Sequence, residues 1–155
     1  MPHPMSPITY TGQLDTRLLH SCWSEAEHCG LVSSALEGLR NSLAESFHIH
    51  MSHLAEEIRT SSRILRDLFA RSHSHPIRVP VLLESLNVIL PCLSKSLHDI
   101  EGYIDDRSIS KEIRWRKMWN KMAEEAGGVA LPQRFMLYNH FLVLTYQSLT
   151  GSVGI

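Results

Sequence analysis

The chain has 155 residues, of which 43% are hydrophobic and 20% charged, and its formal net charge is −1. That length and apolarity exclude a disordered chain and set one domain with a proper core as the expectation. The balanced charge excludes the global basic excess that draws proteins to nucleic acid or anionic lipid.

Ten histidines make the chain histidine-rich, so its charge rises steeply in the pH range where histidine side chains protonate. Three cysteines, Cys22, Cys29 and Cys92, with no CxxC, indicate neither a disulfide framework nor a zinc knuckle. A reducing, cytoplasmic setting is the expectation. The N-terminal "MPHPMSPITYTGQ" lacks the basic region and apolar run of a secretory signal. The longest apolar stretch, "VPVLLESLNVILPCL", contains Glu84, Asn87 and two prolines. It reads as too short and too polar for a membrane span.

Taken in order, residues 1–13 carry three prolines and read as a flexible tail. Asp15 caps a first helix over 15–29, with Leu18, Leu19, Cys22, Trp23 and Ala26 as its apolar side and Gly30 as its break. From Leu31 to Ala70 there is no proline. Leu36, Leu39, Leu43, Phe47, Leu54, Ile58, Leu65 and Leu68 recur at helical steps, which predicts one long helix of ~60 Å, weakest at "RTSSR" (59–63). "SHSHPIRVP" is a loop, with Pro80 in the first turn of the next helix.

In the third segment Val79, Leu83, Leu86, Leu90, Leu93, Leu97, Ile100 and Ile104 alternate steps of three and four. This is the strongest periodic signal in the chain. Pro91 inside it predicts a kink rather than a stop. After the "DDRS" turn a fourth helix over 109–126 places Trp115, Met118, Trp119, Met122 and Ala126 on one face, and Gly127 and Gly128 end it. Pro132 opens a fifth helix, "RFMLYNHFLVLTYQSL", which is apolar nearly all round and carries one charge, Arg134. Such a helix is central in a core or covered by something else. The predicted class is all-α: an antiparallel four- to five-helix bundle with one long helix and a proline-kinked helix, a single domain over 14–150 followed by a short tail at 151–155.

"ESFHIHMSHLAEE" (45–57) holds three histidines and three glutamates. At 100° per residue His48 and His50 point to nearly opposite sides, so they cannot share a metal ion. His50, His53 and Glu57 share one flank and form the candidate metal set. Glu45 and His48 make a Glu-x-x-His pair, the element that helical di-iron proteins use twice. No second copy is expected, since His98 and Glu101 stand in the reverse order. The plainer expectation is that His50 borders the core while His48, His53 and the glutamates meet solvent. Cys22, His28 and Cys29 resemble a ligand set, but core thiols are the better reading because Cys22 and Cys29 lie two turns apart. HExxH is absent.

"KEIRWRKMWNK" mixes basic residues with tryptophans, yet helical geometry puts Trp115, Trp119 and Met122 on one face and Arg114, Lys117 and Lys121 on another. Tryptophans held in a core cannot stack on bases, so no nucleic-acid partner is expected. Phosphate loops, nucleophile elbows and dinucleotide fingerprints are missing. Tyr138, Asn139 and His140 are the polar residues of this fifth helix; if it is central, Asn139 and His140 are buried and need partners. His140 facing a cavity is then the candidate acid/base; a hydrogen-bonded core histidine is the plainer reading.

The segments "LLESLNVILPCLSKSLHDIEGYI" (82–104) and "RWRKMWNKMAEEAGGVALPQRFMLYNHFLVL" (114–144) resemble a group of uncharacterised filamentous-fungal proteins that carry helical domains near the N-terminus of longer chains. The likeness covers about half of the sequence. The first half is similar to the helical N-terminal modules of fungal NOD-like receptors. The resemblance implies a part in self-association or signalling-complex assembly and supplies no catalytic residues. Such chains continue past the last helix, whereas this one stops at "TGSVGI".

The expected function is therefore a non-enzymatic interaction module acting through helix–helix contacts as a homodimer or with another helical protein, with no cofactor. Phe135, Leu137, Phe141, Leu144, Trp115 and Trp119 are its candidate contact residues. The alternative is a small cofactor-free or metal-assisted enzyme, or a carrier of a small hydrophobic ligand, with a pocket between the kinked third helix and the fifth.

Overall fold

The computed structural model describes residues 7–151, with side chains from residue 16 onward. Five helices follow one another: α1 (Pro7–Asn41), α2 (His48–Ser72), α3 (Val79–Ile104), α4 (Lys111–Glu125) and α5 (Leu131–Thr150). Single 3-10 turns, Glu45–Phe47 and Pro76–Arg78, lead into α2 and α3. The described residues contain no strand, so the class is all-α as the periodicity requires.

α1 packs on α2 and α3, and α5 packs on the same two helices, so the four long helices form a ring in the order α1, α2, α5, α3. Cross-links fix their directions. The Cys22 thiol donates to Leu65 O (3.2 Å) and Ser62 Oγ to Ala26 O (2.7 Å), which sets α1 and α2 antiparallel. Ser96 and Tyr138 meet through their hydroxyls (2.9 Å), and Arg78 reaches Ser148 O (3.5 Å), which sets α3 against α5. His28 lies beside Glu101, and Leu18 shares a cleft with Leu86, so α1 and α3 run the same way. Successive long helices alternate in direction around a core of Leu36, Met51, Leu54, Ile58, Leu65, Leu86, Leu93, Leu97 and Phe135. The short α4 brings Trp115, Met118 and Met122 into the same core.

The first half folds differently from expectation. Helix α1 begins at Pro7, inside the segment read as a tail, and runs through Gly30 to Asn41. Residues 1–6 and 152–155 lie outside the described residues. The break falls after Asn41 rather than at Gly30, and "RTSSR" lies within an unbroken α2. A fold-back satisfies the same leucine periodicity as one ~60 Å rod and also covers the stripe, since Leu36 and Leu39 join Met51 and Leu54 in a common core. Asn41 and Ser42 suit the break, because short polar side chains compete for backbone partners. Ser42 Oγ donates to Gly38 O (3.2 Å), Ala44 is extended, and Arg40 Nη1 bridges the turn to Ser52 Oγ (2.9 Å). Ser61 and Ser62 do not weaken α2: their hydroxyls are spent on α5 and α1.

The second half keeps the expected order of helices. α3 continues from Val79 to Ile104 with Pro91 inside it. Together with its leading turn, Pro76–Ile104, it is long and apolar enough to cross a membrane by length and composition alone, contrary to the shorter span read from its apolar stretch. A core helix needs the same composition, and Leu82, Leu86, Leu93, Leu97 and Ile100 are buried here. Ser110 caps α4, its Oγ accepting from the Ile113 N–H (3.3 Å). Gly127 and Gly128 end α4 at φ 69° and 90°, with the Gly128 N–H donating to Ala123 O (2.7 Å) and the Gly127 N–H to Glu124 O (3.0 Å). Arg114 donates to the carbonyls of Ile104 (2.9 Å) and Ile109 (3.0 Å), tying α4 to the end of α3.

Candidate functional site

α5 presents two different sides. Its inner side buries Leu131, Phe135, Asn139, Leu142, Thr145 and Leu149. Its outer side exposes Met136 (46%), Leu137 (63%), Val143 (41%) and Leu144 (47%), with His140 exposed among them. At 100° per residue these five fall within about 120° of one another, an apolar stripe with His140 at its centre. The helix's one charge does not interrupt it. Arg134 turns away, donating through Nη2 to Met122 O and through Nη1 to Ser96 Oγ (3.4 Å).

The expected contact residues divide accordingly. Leu137 and Leu144 lie on the open stripe, and Phe141 and Trp119 are half-buried at the edge of the core. Phe135 and Trp115 are corrected: both are buried, Phe135 against Tyr138 (ring centroids 5.3 Å) and Trp115 against Trp119 (5.3 Å), so neither is free to meet a partner. The burial of Trp115 and Met122 keeps the tryptophan face apart from exposed Lys117 and Lys121.

Tyr138, Asn139 and His140 point three ways. Tyr138 donates or accepts at Ser96 Oγ, and His140 stands in solvent rather than in the core. Asn139 is buried against α2, where Oδ1 accepts from Ser61 Oγ (2.6 Å) and Nδ2 donates to Glu57 O and Glu57 Oε2 (2.9 Å each). Every buried side-chain polar atom among the described residues has a partner. The cleft beside Pro91, about 250 Å³, opens between α3 and α1 rather than toward α5, and is lined by Leu18, Leu86, Leu90 and Pro91 with Glu25 and Ser94 at its edge.

The histidine-dense stretch is dispersed. His48 Nε2 donates to Leu43 O (2.9 Å), and the His50 ring lies against Trp119 (5.3 Å). His53 faces Glu57 at 3.9 Å while Glu57 holds Asn139. His50, His53 and Glu57 are therefore not brought together. The described residues place a different set within reach of one ion: His28 on α1 with His98 and Glu101 on α3. Their signal was in the sequence. Glu25-Ala-Glu-His28 is a second Glu-x-x-His, contrary to expectation, and it lies beside His98-Asp-Ile-Glu101. Cys22 and Cys29 are buried free thiols, as core thiols should be, each pushed up to about 12 by burial, with the Glu25 carboxylate adding at Cys29.

No protein-family model matches the chain, and no curated protein and no solved structure matches it.

Proposed function

We propose that this chain is a helical interaction module that pairs with a second copy of itself through the outer side of α5. The observation that carries this reading is the stripe's symmetry about His140. Leu137 and Val143 stand three residues away on either side, Met136 and Leu144 four, and Gln133 and Gln147 seven. In an antiparallel helix pair related by a two-fold axis, a residue n places before the centre faces the residue n places after it. Apolar residues then oppose apolar residues at three and four places, and glutamine opposes glutamine at seven. A heterologous partner imposes no such symmetry. The steps of three and four also match the seam of packed helices.

One helix per partner makes a small interface, so the pair is expected to dissociate on dilution. Sedimentation equilibrium over a wide concentration range tests this. The expected result is a mass rising from 17.6 kDa toward twice that value. Leu144→Asp and Leu137→Asp should hold the chain monomeric, while Val88→Asp, at an exposed position of α3, leaves pairing intact. A wild-type monomer at every concentration, or pairing that survives Leu144→Asp, overturns the reading.

A further inference from the structure

Two histidines and a glutamate meet where α1 lies beside α3, away from the outer side of α5. His28 sits between two carboxylates: Nδ1 faces Glu25 Oε2 at 3.3 Å, and Nε2 faces Glu101 Oε1. The His98 ring approaches edge-on, with centroids 4.9 Å apart. One ligand atom from each of His28, His98 and Glu101 lies within 4.8 Å of the other two.

The second nitrogen of each ring is already engaged. His28 Nδ1 is held by Glu25, and His98 Nδ1 by the Ser94 carbonyl at 2.8 Å. Histidines that bind metal are oriented in this way, the far N–H donating to a carboxylate or carbonyl so that the near nitrogen presents its lone pair. The arrangement is the more telling because the acceptors differ and come from different helices. The other histidine–carboxylate pair, His53 with Glu57, has none of this support: its contact is 3.9 Å, and Glu57 is committed to Asn139.

We infer that His28 Nε2, His98 Nε2 and a Glu101 carboxylate oxygen form a site for one divalent transition-metal ion of the zinc class, with Glu25 and Ser94 orienting the two rings. Two imidazoles and one carboxylate suit such an ion, which takes nitrogen at ~2.0–2.1 Å and sets neighbouring ligands ~3.4 Å apart in a tetrahedron. The three ligand atoms already lie within 4.8 Å of one another, and side-chain rotations that part His28 Nε2 from Glu101 Oε1 would admit the ion between them. The hard oxygen-seeking cations, magnesium and calcium, are poorly served by two imidazoles. His98 is exposed and Glu101 half-exposed, so the fourth position opens to water. The cleft beside Pro91 shares Glu25 and Ser94 with the site, so a small ligand held there would lie close to the ion. The ion would take the place of the direct contact between His28 Nε2 and Glu101 Oε1 and would join α1 to α3.

Calorimetric titration of the chelator-treated chain with zinc chloride tests the inference. One zinc per chain is expected. His98 is exposed and Glu101 half-exposed, so His98→Ala and Glu101→Gln should spare the core and weaken binding by about tenfold or more, and Glu25→Gln should weaken it within the roughly 10–100-fold range of ring-orienting partners. His53→Ala should leave the affinity unchanged, with circular dichroism confirming that each variant folds. Absence of zinc binding in the wild type, unchanged affinity in both His98→Ala and Glu101→Gln, or magnesium binding as tightly as zinc each overturns it.

Discussion

The two sides of α5 are made of similar residues and meet opposite surroundings. The inner side sets Leu131, Phe135, Leu142 and Leu149 into the core and spends its one amide, Asn139, on Ser61 and Glu57 of α2. The outer side carries Met136, Leu137, Val143 and Leu144 around His140, all of them exposed. Composition does not distinguish the sides; what each side meets does. The inner residues therefore bear on whether the chain folds, and the outer residues on what the folded chain meets.

The largest break in this comparison should come from Phe135→Ala. Phe135 is among the largest fully buried side chains. Removing its ring from a packed core should lower unfolding free energy by ~3–5 kcal/mol, read as a shift in the urea midpoint. Leu144→Asp should leave that midpoint, measured at concentrations where the chain is monomeric, nearly unmoved. If both substitutions destabilise the monomer alike, the two sides of α5 do not differ in the way proposed.

Asn139→Ala should follow at ~1–3 kcal/mol, because Ser61 Oγ and the Glu57 carboxylate each lose a buried partner. A double-mutant cycle with Ser61→Ala sharpens the assignment: coupling between the two positions is expected, and additive losses would mean that the short Ser61–Asn139 contact contributes little.

The elements that could be read from the sequence are those whose signals are local. The unbroken steps from Val79 to Ile104, the glycine pair after Glu125 and Pro132 in the first turn of α5 each specify structure within a few residues. The fold-back between α1 and α2 was not legible, because the stripe from Leu36 to Leu68 is equally regular whether the helix runs straight or doubles back. Only cover from another helix selects between the two. The histidine set shows the same limit. His28 and Glu101 are 73 residues apart, and their meeting depends on α1 and α3 lying side by side in one direction. The histidines of the dense run at 45–57 are close in sequence, yet helical rotation spreads them around α2. The excess apolarity of α5 was plain, but which of Phe135 and Leu137 faces outward is decided by how α5 seats on α2 and α3.

The smallest effect expected concerns Gly30, where sequence and structure part most clearly. Were Gly30 the end of a helix in left-handed conformation, a side chain there would be strained. In the structure it lies inside α1, is not among the glycines of positive φ, and has open space where a Cβ would stand. Gly30→Ala should then raise stability by ~0.5–1 kcal/mol, because alanine restricts the unfolded chain without a cost in the helix. Gly128→Ala supplies the opposite sign. Its φ of 90° is one that side chains rarely adopt, so a loss of ~1 kcal/mol or more is expected although no atom crowds the site. Thermal melts of the two variants separate the cases: a gain at Gly30 with a loss at Gly128 places the first break of the bundle after Asn41, and a loss at both would restore a break at Gly30.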